Sequence, residues 1–399
     1  MEQDIRTQLN AYVESPFLEE ALEQVKQMPE VPQWLTAEFV ADLEEKFALL
    51  GQNRDAAFAS LEQVAGTPVL RLFAKVLYCL VRMWRGYSKT FTKLELPQMK
   101  GAEYVGLFPI LGLIPESNAV LEKRGVPQDV IYDTLNFLRY SMEESTKTEG
   151  RFCFNKKAFT FYTVVLFTKY LWMGRMRFEI HTGFDRNVQI FANKDNQIRI
   201  LMRDTMLHAG GNILGAIGCT DEEGAYDADF RETDTYYEGY GVNPETGLAE
   251  NIRTRLSKAE WRTILQPGDA LLKIHIPFGG KLTRQACEEA YAKAREVFPR
   301  CYPEYDFKGF IGNTWLFCPE LKKVLKPDSN TVLFQNDYHI FPAKNQAQDV
   351  FLYVYDQEVA SADDVDFAGL PENNSMQRGV KQLLLEGKYI HQFNGFKPL

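Results

Sequence analysis

The stretch 273–298, KIHIPFGGKLTRQACEEAYAKAREVF, holds the residues whose types and spacing could do chemistry. Its first part alternates as a strand and ends at Ile276. Pro277 has no N–H and stops ladder pairing. Gly279 and Gly280 let the backbone turn sharply and approach a ligand closely. Thr283 is a good N-cap for a helix whose inward face is Cys287, Tyr291, Ala294 and Phe298. A helix N-terminus carries partial positive charge and favours acidic neighbours, yet Lys281 and Arg284 flank this one. An anion at the open N–H groups would offset that arrangement, and phosphate is the usual one. An ordinary strand–turn–helix with two solvated bases uses the same residues, and both readings stay open at this point.

Other candidate groups lie nearby in pattern. His275 shares a strand face with Leu271 and Lys273, while Leu272, Ile274 and Ile276 face the other way. In RMRFEIH, Arg175, Arg177 and Glu179 alternate onto one face. They read as a surface ion-pair row, worth little, or as the wall of a polar pocket. Glu238 sits in YYEGYGV, either capping a turn or serving as an acid–base group. Tyr338 and His339 are adjacent on an expected late strand and so point to opposite faces. Six cysteines form no CxxC pair, and five histidines form no HxxxH or HxH pair. Zinc-site spacing is absent and no metal is expected.

These groups need elements to position them. The chain has 399 residues, enough for two domains at ~100–200 residues each. Its net charge of −9 argues against a general nucleic-acid binder. The opening MEQDIRTQLNAYVES has no basic segment followed by an apolar core, so no secretory signal is expected. The longest apolar run, 159–172, is interrupted by Lys169 and falls short of the ~20 residues of a membrane span. It reads as a buried helix. A cytoplasmic protein with reduced, buried cysteines and no membrane partner is the expectation.

Up to residue 172 the pattern is helical. Ser15 and Pro16 look like the start of one helix, Gly51 like the end of another, and 69–83 is apolar enough to be a bundle's central helix. The texture changes near KTEGRF, which divides the chain into a helical domain, 1–150, and a second domain, 151–399. In the second, strands are expected at 175–181, 188–192, 198–202, 271–276, 331–340 and 350–355. Helices are expected at 284–298 and 319–325, an α/β pattern. The last residues, GKYIHQFNGFKPL, read as a tail or short edge strand.

The run LKIHIPFGGKLTRQACEEAYAKAREVF, followed by GFIGNTWLFCPELKKVLKPDSNTVLFQNDYHIF, resembles bacterial GNAT-like acyltransferase-domain proteins. YYEGYGVNPETG, AEWRTILQPGD and YLWMGRMRFE extend the resemblance upstream, and an all-helical N-terminal domain is typical of that family. The resemblance implies an α+β protein, a helical N-terminal domain followed by a GNAT-like mixed-sheet α/β acyltransferase domain. It implies acetyl-CoA or another acyl-CoA as co-substrate, held between the superfamily's splayed fourth and fifth strands, here 271–276 and 309–317. The cofactor contacts it implies are Ile274, Ile276, Gly279, Gly280, Lys281 and Thr283. The superfamily's usual loop is Gln/Arg-x-x-Gly-x-Gly/Ala, and here it reads PFGGKL.

The reaction so implied is direct transfer to an amine of a small molecule or peptide. It needs a base, an oxyanion site and an acid for the leaving thiolate. His275, Glu238 and Tyr338 are the candidates. The alternative is a catalytically silent GNAT-like module for ligand binding or interaction.

Overall fold

The computed structural model describes residues 7–83, 86–167, 170–277, 280–344, 349–357, 359 and 362–399. The chain forms two compact units, Met1–Met173 and Gly174–Leu399.

The first unit is helical: α1 (Leu18–Lys26), α2 (Ala37–Phe47), α3 (Arg54–Gly66), α4 (Pro68–Arg82), α5 (Leu107–Lys123), α6 (Gln128–Glu149) and α7 (Lys156–Phe167). Pro68 opens α4 at a position where its missing N–H costs nothing. Leu70, Phe73, Val76, Leu77, Leu80 and Val81 are buried around its circumference against α1, α3 and α5. Each such side chain contributes ~1.5–3 kcal/mol on full burial, which makes α4 the axis of this unit. α2 is capped by Thr36, whose hydroxyl accepts from Phe39 N at 3.4 Å.

Three local expectations shift. α1 begins at Leu18, because Ser15 Oγ accepts from Phe17 N and tightens a turn ahead of the helix. α2 ends at Ala48, which takes the left-handed φ of +50°, ahead of Gly51. The apolar run 159–172 is helical only to Phe167, and Tyr170–Met173 is a strand. Thr168 and Lys169 stand between the two, but a run so apolar on both sides carries no period that tells helix from strand. Among the described residues no single helix is long and apolar enough to cross a membrane.

The second unit holds β1 (Met176–His181), β2 (Val188–Asn193), β3 (Ile198–Met202), β4 (Tyr236–Val242), β5 (Ala249–Ser257), β6 (Trp261–Leu265), β7 (Ala270–His275), α8 (Arg284–Cys301), β8 (Phe307–Thr314), α9 (Asn330–Asn336), β9 (His339–Pro342), α10 (Asp349–Tyr355), α11 (Ser375–Leu385) and β10 (Phe393–Pro398). One sheet runs β5-β4-β3-β2-β6 and is antiparallel. The other runs β9-β10-β8-β7-β1 and is mixed, because β7 and β8 lie parallel. Val188, Ile190 and Met202 of the first sheet join Leu271, Ile311 and Phe396 of the second in one core. α8 covers the opposite face of the mixed sheet, setting Tyr291 and Phe298 against Phe178 and Phe310.

The C-terminal part of this unit departs from the pattern reading. Residues 330–336 form α9, capped by Ser329 Oγ accepting from Val332 N at 3.4 Å, so only His339–Pro342 is a strand. The run VFLYVY is in α10, where Val350, Phe351, Val354 and Tyr355 fall on one buried helical face. β-rich composition yields there to packing. β10 is an interior strand, paired to β8 on one side and β9 on the other. All six cysteines are buried and free.

Candidate active site

β7 and β8 start together and then part. Their pairs are Ala270↔Phe307, Leu272↔Phe310 and Lys273↔Ile311, with a register shift after the first. Among the described residues the ladder has no pair beyond Lys273, although β7 continues to His275 and β8 to Thr314. Each strand stays held by its outer neighbour, β7 by β1 through His275↔Arg177 and β8 by β10 through Thr314↔Phe393. The shift puts an extra residue into β8 and bends it away. The ladder so ends short of the C-terminal ends of both strands, a V in the pairing, with the Ile274 side chain still lying against Gly312. Gly312 lies in its wall. A Cβ there would stand 2.8 Å from Phe317 Cε2 and 3.0 Å from Ile274 Cδ1.

The turn after β7 leads directly into α8. Ile274 is buried, Ile276 half-buried, and Gly280, Lys281 and Thr283 are exposed. Gly280 takes φ +71°, a conformation that favours glycine. Thr283 caps α8, its Oγ1 accepting from Ala286 N at 3.3 Å, and the first turn of α8 has no acidic residue. Phe278 and Gly279 lie outside the described residues. Arg175 reaches the turn from just ahead of β1. Its Nη1 donates to Pro277 O at 2.9 Å and its Nη2 to Gly280 O at 3.1 Å.

His275 lies on the face of β7 that the alternation expected. Its Nε2 is 2.9 Å from Glu179 Oε2 on β1, and Lys273 Nζ is 3.8 Å from the same oxygen. With Glu179 ionised, Nε2–H donates and Nδ1 keeps the lone pair. Burial pushes the His275 pKa down, against the raising effect of Glu179, so the imidazole is a neutral base at pH 7. Burial opposes ionisation of Glu179, but the His275 hydrogen bond and the Lys273 charge outweigh it and hold that carboxyl below its usual value. The pairing depends on strand register, which residue spacing does not reveal; the visible signal was only that Glu179 alternates on β1.

Tyr338 ends the segment before β9, with His339 opening the strand. The Tyr338 and Tyr291 hydroxyls are 2.7 Å apart and buried, and the Tyr338 ring packs on Phe317 and Phe334. Burial pushes the Tyr338 pKa well up, so it keeps its proton. Through Phe317 this pair neighbours the Gly312 wall of the V.

Glu238 is on β4 of the other sheet. Arg255 donates to its Oε2 through Nε at 2.9 Å and Nη2 at 2.7 Å, and Arg253 Nη1 lies 3.4 Å from Oε1. The hydrogen bond from Arg255 holds its pKa down. The structure therefore groups His275, Glu179 and Lys273, sets Tyr338 behind Phe317 and away from the strand pair, and leaves Glu238 in a separate ion-pair set. No group of three or more His, Cys, Asp or Glu that could hold a metal occurs among the described residues.

A parallel pair whose ladder ends early, followed by a turn and a capped helix, is the arrangement that the sequence resemblance implied. The family model of the GNAT-like C-terminal domain matches residues 170–397, and that of the N-acyltransferase N-terminal domain matches residues 38–158. The chain belongs to this family, in which a helical N-acyltransferase N-terminal domain precedes a GNAT-like C-terminal domain. No curated protein matches the chain. Three solved structures share the fold over 100% of this chain and 99% of theirs. An acyltransferase in complex with decanoyl-CoA and teicoplanin is 18% identical, with a TM-score of 0.62. An acyltransferase in complex with CoA and 10C-teicoplanin is 17% identical, with a TM-score of 0.63. An acyltransferase mutant in complex with octanoyl-CoA is 18% identical, with a TM-score of 0.61. At these identities the likeness is one of fold.

Proposed function

We propose that the protein transfers an acyl group from an acyl-CoA to an amine of a small molecule or peptide, directly and within a ternary complex. The observation that carries this is the parting of β7 and β8 beyond Lys273 and Ile311. An opened parallel pair leaves backbone groups to bind an extended ligand arm. In this reading the pantetheine arm lies along Ile274 and Ile276. The pyrophosphate meets Gly279, Gly280, Lys281 and the N–H groups of the helix capped by Thr283. The acyl-CoA ligands of the solved acyltransferases support acyl chains longer than acetyl as well.

The chemistry follows from the groups at the V. The amine nitrogen attacks the thioester carbonyl carbon and its proton passes to His275 Nδ1. The C–S bond breaks and the thiolate leaves as CoA, taking up the proton that His275 accepted; Tyr338, whose buried hydroxyl keeps its proton, gives none. Glu179 orients His275. A positioned base of this kind contributes ~10²–10⁴-fold to the rate. Glu238, held ionised by Arg255, takes no proton in this scheme.

The test is titration calorimetry with acetyl-CoA and decanoyl-CoA, beside a thiol-release assay with amine acceptors. Heat of binding that weakens in Lys281→Ala, with amine-dependent thiol release, is the expected result. No binding of either thioester would overturn the reading. Binding without thiol release would favour a silent ligand-binding module, a reading that draws on the packing of Ile274 and Phe317 against Gly312.

A further inference from the structure

An open cavity of about 610 Å³ lies between the two sheets of the second unit, at the end where β7 and β8 begin. Antiparallel partners share a sheet face, so Ile198, Ala192 and Arg262 stand in a row across β3, β2 and β6. Ile198 and Ile264 pack on the core between the sheets and carry its apolar surface into the cavity. From the second sheet His339 lines the same space, beside its ladder partner Phe396 of that core. Asp269 enters from the turn between β6 and β7. Its Oδ2 accepts from Gln266 N at 2.8 Å, and Oδ1 has no hydrogen bond among the described residues.

Both signs of charge line this cavity. Lys308 is paired with Asp306 and also feels the charge of Asp269. Burial lowers the His339 pKa, so its imidazole is neutral at pH 7 and adds no charge. Arg262 and Asp269 are different. Among the described residues neither forms an ion pair, with the other or with any third group. A ligand with a single charge meets a like charge here, an anion at Asp269 and a cation at Arg262. A ligand that carries both finds a partner for each, and its body finds the apolar row.

We infer that this cavity binds a free zwitterionic amino acid with an apolar side chain. The carboxylate pairs with Arg262, the ammonium with Asp269, and the side chain lies on Ala192, Ile198 and Ile264. The inference does not rest on the acyl-CoA reading. Asp269 and Lys308 stand at the start of β7 and β8, whereas the ladder between those strands ends at Lys273 and Ile311.

The experiment is titration calorimetry with phenylalanine, phenylalaninamide, N-acetylphenylalanine and glycine. The amide lacks the carboxylate, the acetyl compound lacks the ammonium, and glycine lacks the apolar body. Phenylalanine should bind the wild-type protein about 10-fold more tightly than each of the other three, the scale for one charged hydrogen bond or one apolar side chain. Arg262→Gln should abolish the preference over the amide and keep that over the acetyl compound. Asp269→Asn, which can still accept from Gln266 N, should do the reverse. If Asp269→Asn does not fold, Arg262, exposed on β6, decides alone. No binding of phenylalanine to the wild-type protein would overturn the inference. So would equal binding of the four probes, or unchanged selectivity in Arg262→Gln. Tightest binding of N-acetylphenylalanine would make this an anion site, and tightest binding of the amide a cation site. Either result contradicts the zwitterion.

Discussion

His275 Nε2 and Glu179 Oε2 lie 2.9 Å apart across the antiparallel pair β7 and β1, where β7 has begun to leave β8. The contact fixes which imidazole nitrogen holds the proton. It also joins His275, half-buried on β7, to a carboxylate that raises its affinity for a proton.

That relationship sets a pH profile. Burial keeps the His275 pKa below the usual histidine value, so the rate should rise with pH through a limb below ~6.5 and then level. His275→Gln should lose ~10²–10⁴-fold in kcat, with the acid limb gone and little change in KM for acyl-CoA. Glu179→Gln removes a group that raises the His275 pKa, so the limb should move to lower pH while kcat falls. Profiles of kcat/KM against pH for the three proteins check this. A limb unmoved by either substitution would exclude His275 as the base.

The site was partly legible in the sequence. Pro277, Gly280 and Thr283 are local signals, and each does locally what its chemistry requires. The face of His275 followed from the period of two along a strand. Its partner Glu179 did not, because 96 residues separate the two and only sheet register joins them. Arg175 escaped for the same reason. The segments 330–336 and 349–355 misled, since their β-branched and aromatic residues suit a strand and the helical packing that buries them is tertiary. The closing residues read as a tail or a short edge strand, because nothing in FNGFKP tells that β9 will pair on the far side of β10.

Gly312 gives a test of the wall of the V. Valine there would meet the Phe317 ring and the Ile274 side chain at 3.0 Å or less. Overpacking of this kind costs ~1–3 kcal/mol. Gly312→Val should lower the urea midpoint accordingly and weaken acyl-CoA binding. Unaltered stability and affinity together would mean that the wall is looser than the packing indicates.

Acid should destabilise the protein through its histidines. Burial lowers the pKa of His181, His275, His339 and His391. As pH falls through ~6.5 the unfolded chain takes up protons before the folded one. Their contribution to stability is therefore complete above that pH and is lost as acidification proceeds toward the folded values. Urea midpoints should be level from pH 8 to 7 and decline from pH 6.5 to 5. A rise over that acid range would contradict the burial of these rings.

The central claim is that an acyl-CoA occupies the V between β7 and β8. A crystal structure of the protein grown with decanoyl-CoA tests it most directly. The account requires density for the pantetheine arm between residues 271–276 and 309–314, with the diphosphate at Gly280, Lys281 and the start of α8. Strands zipped together past Lys273 and Ile311, or the thioester bound elsewhere on the protein, would contradict it.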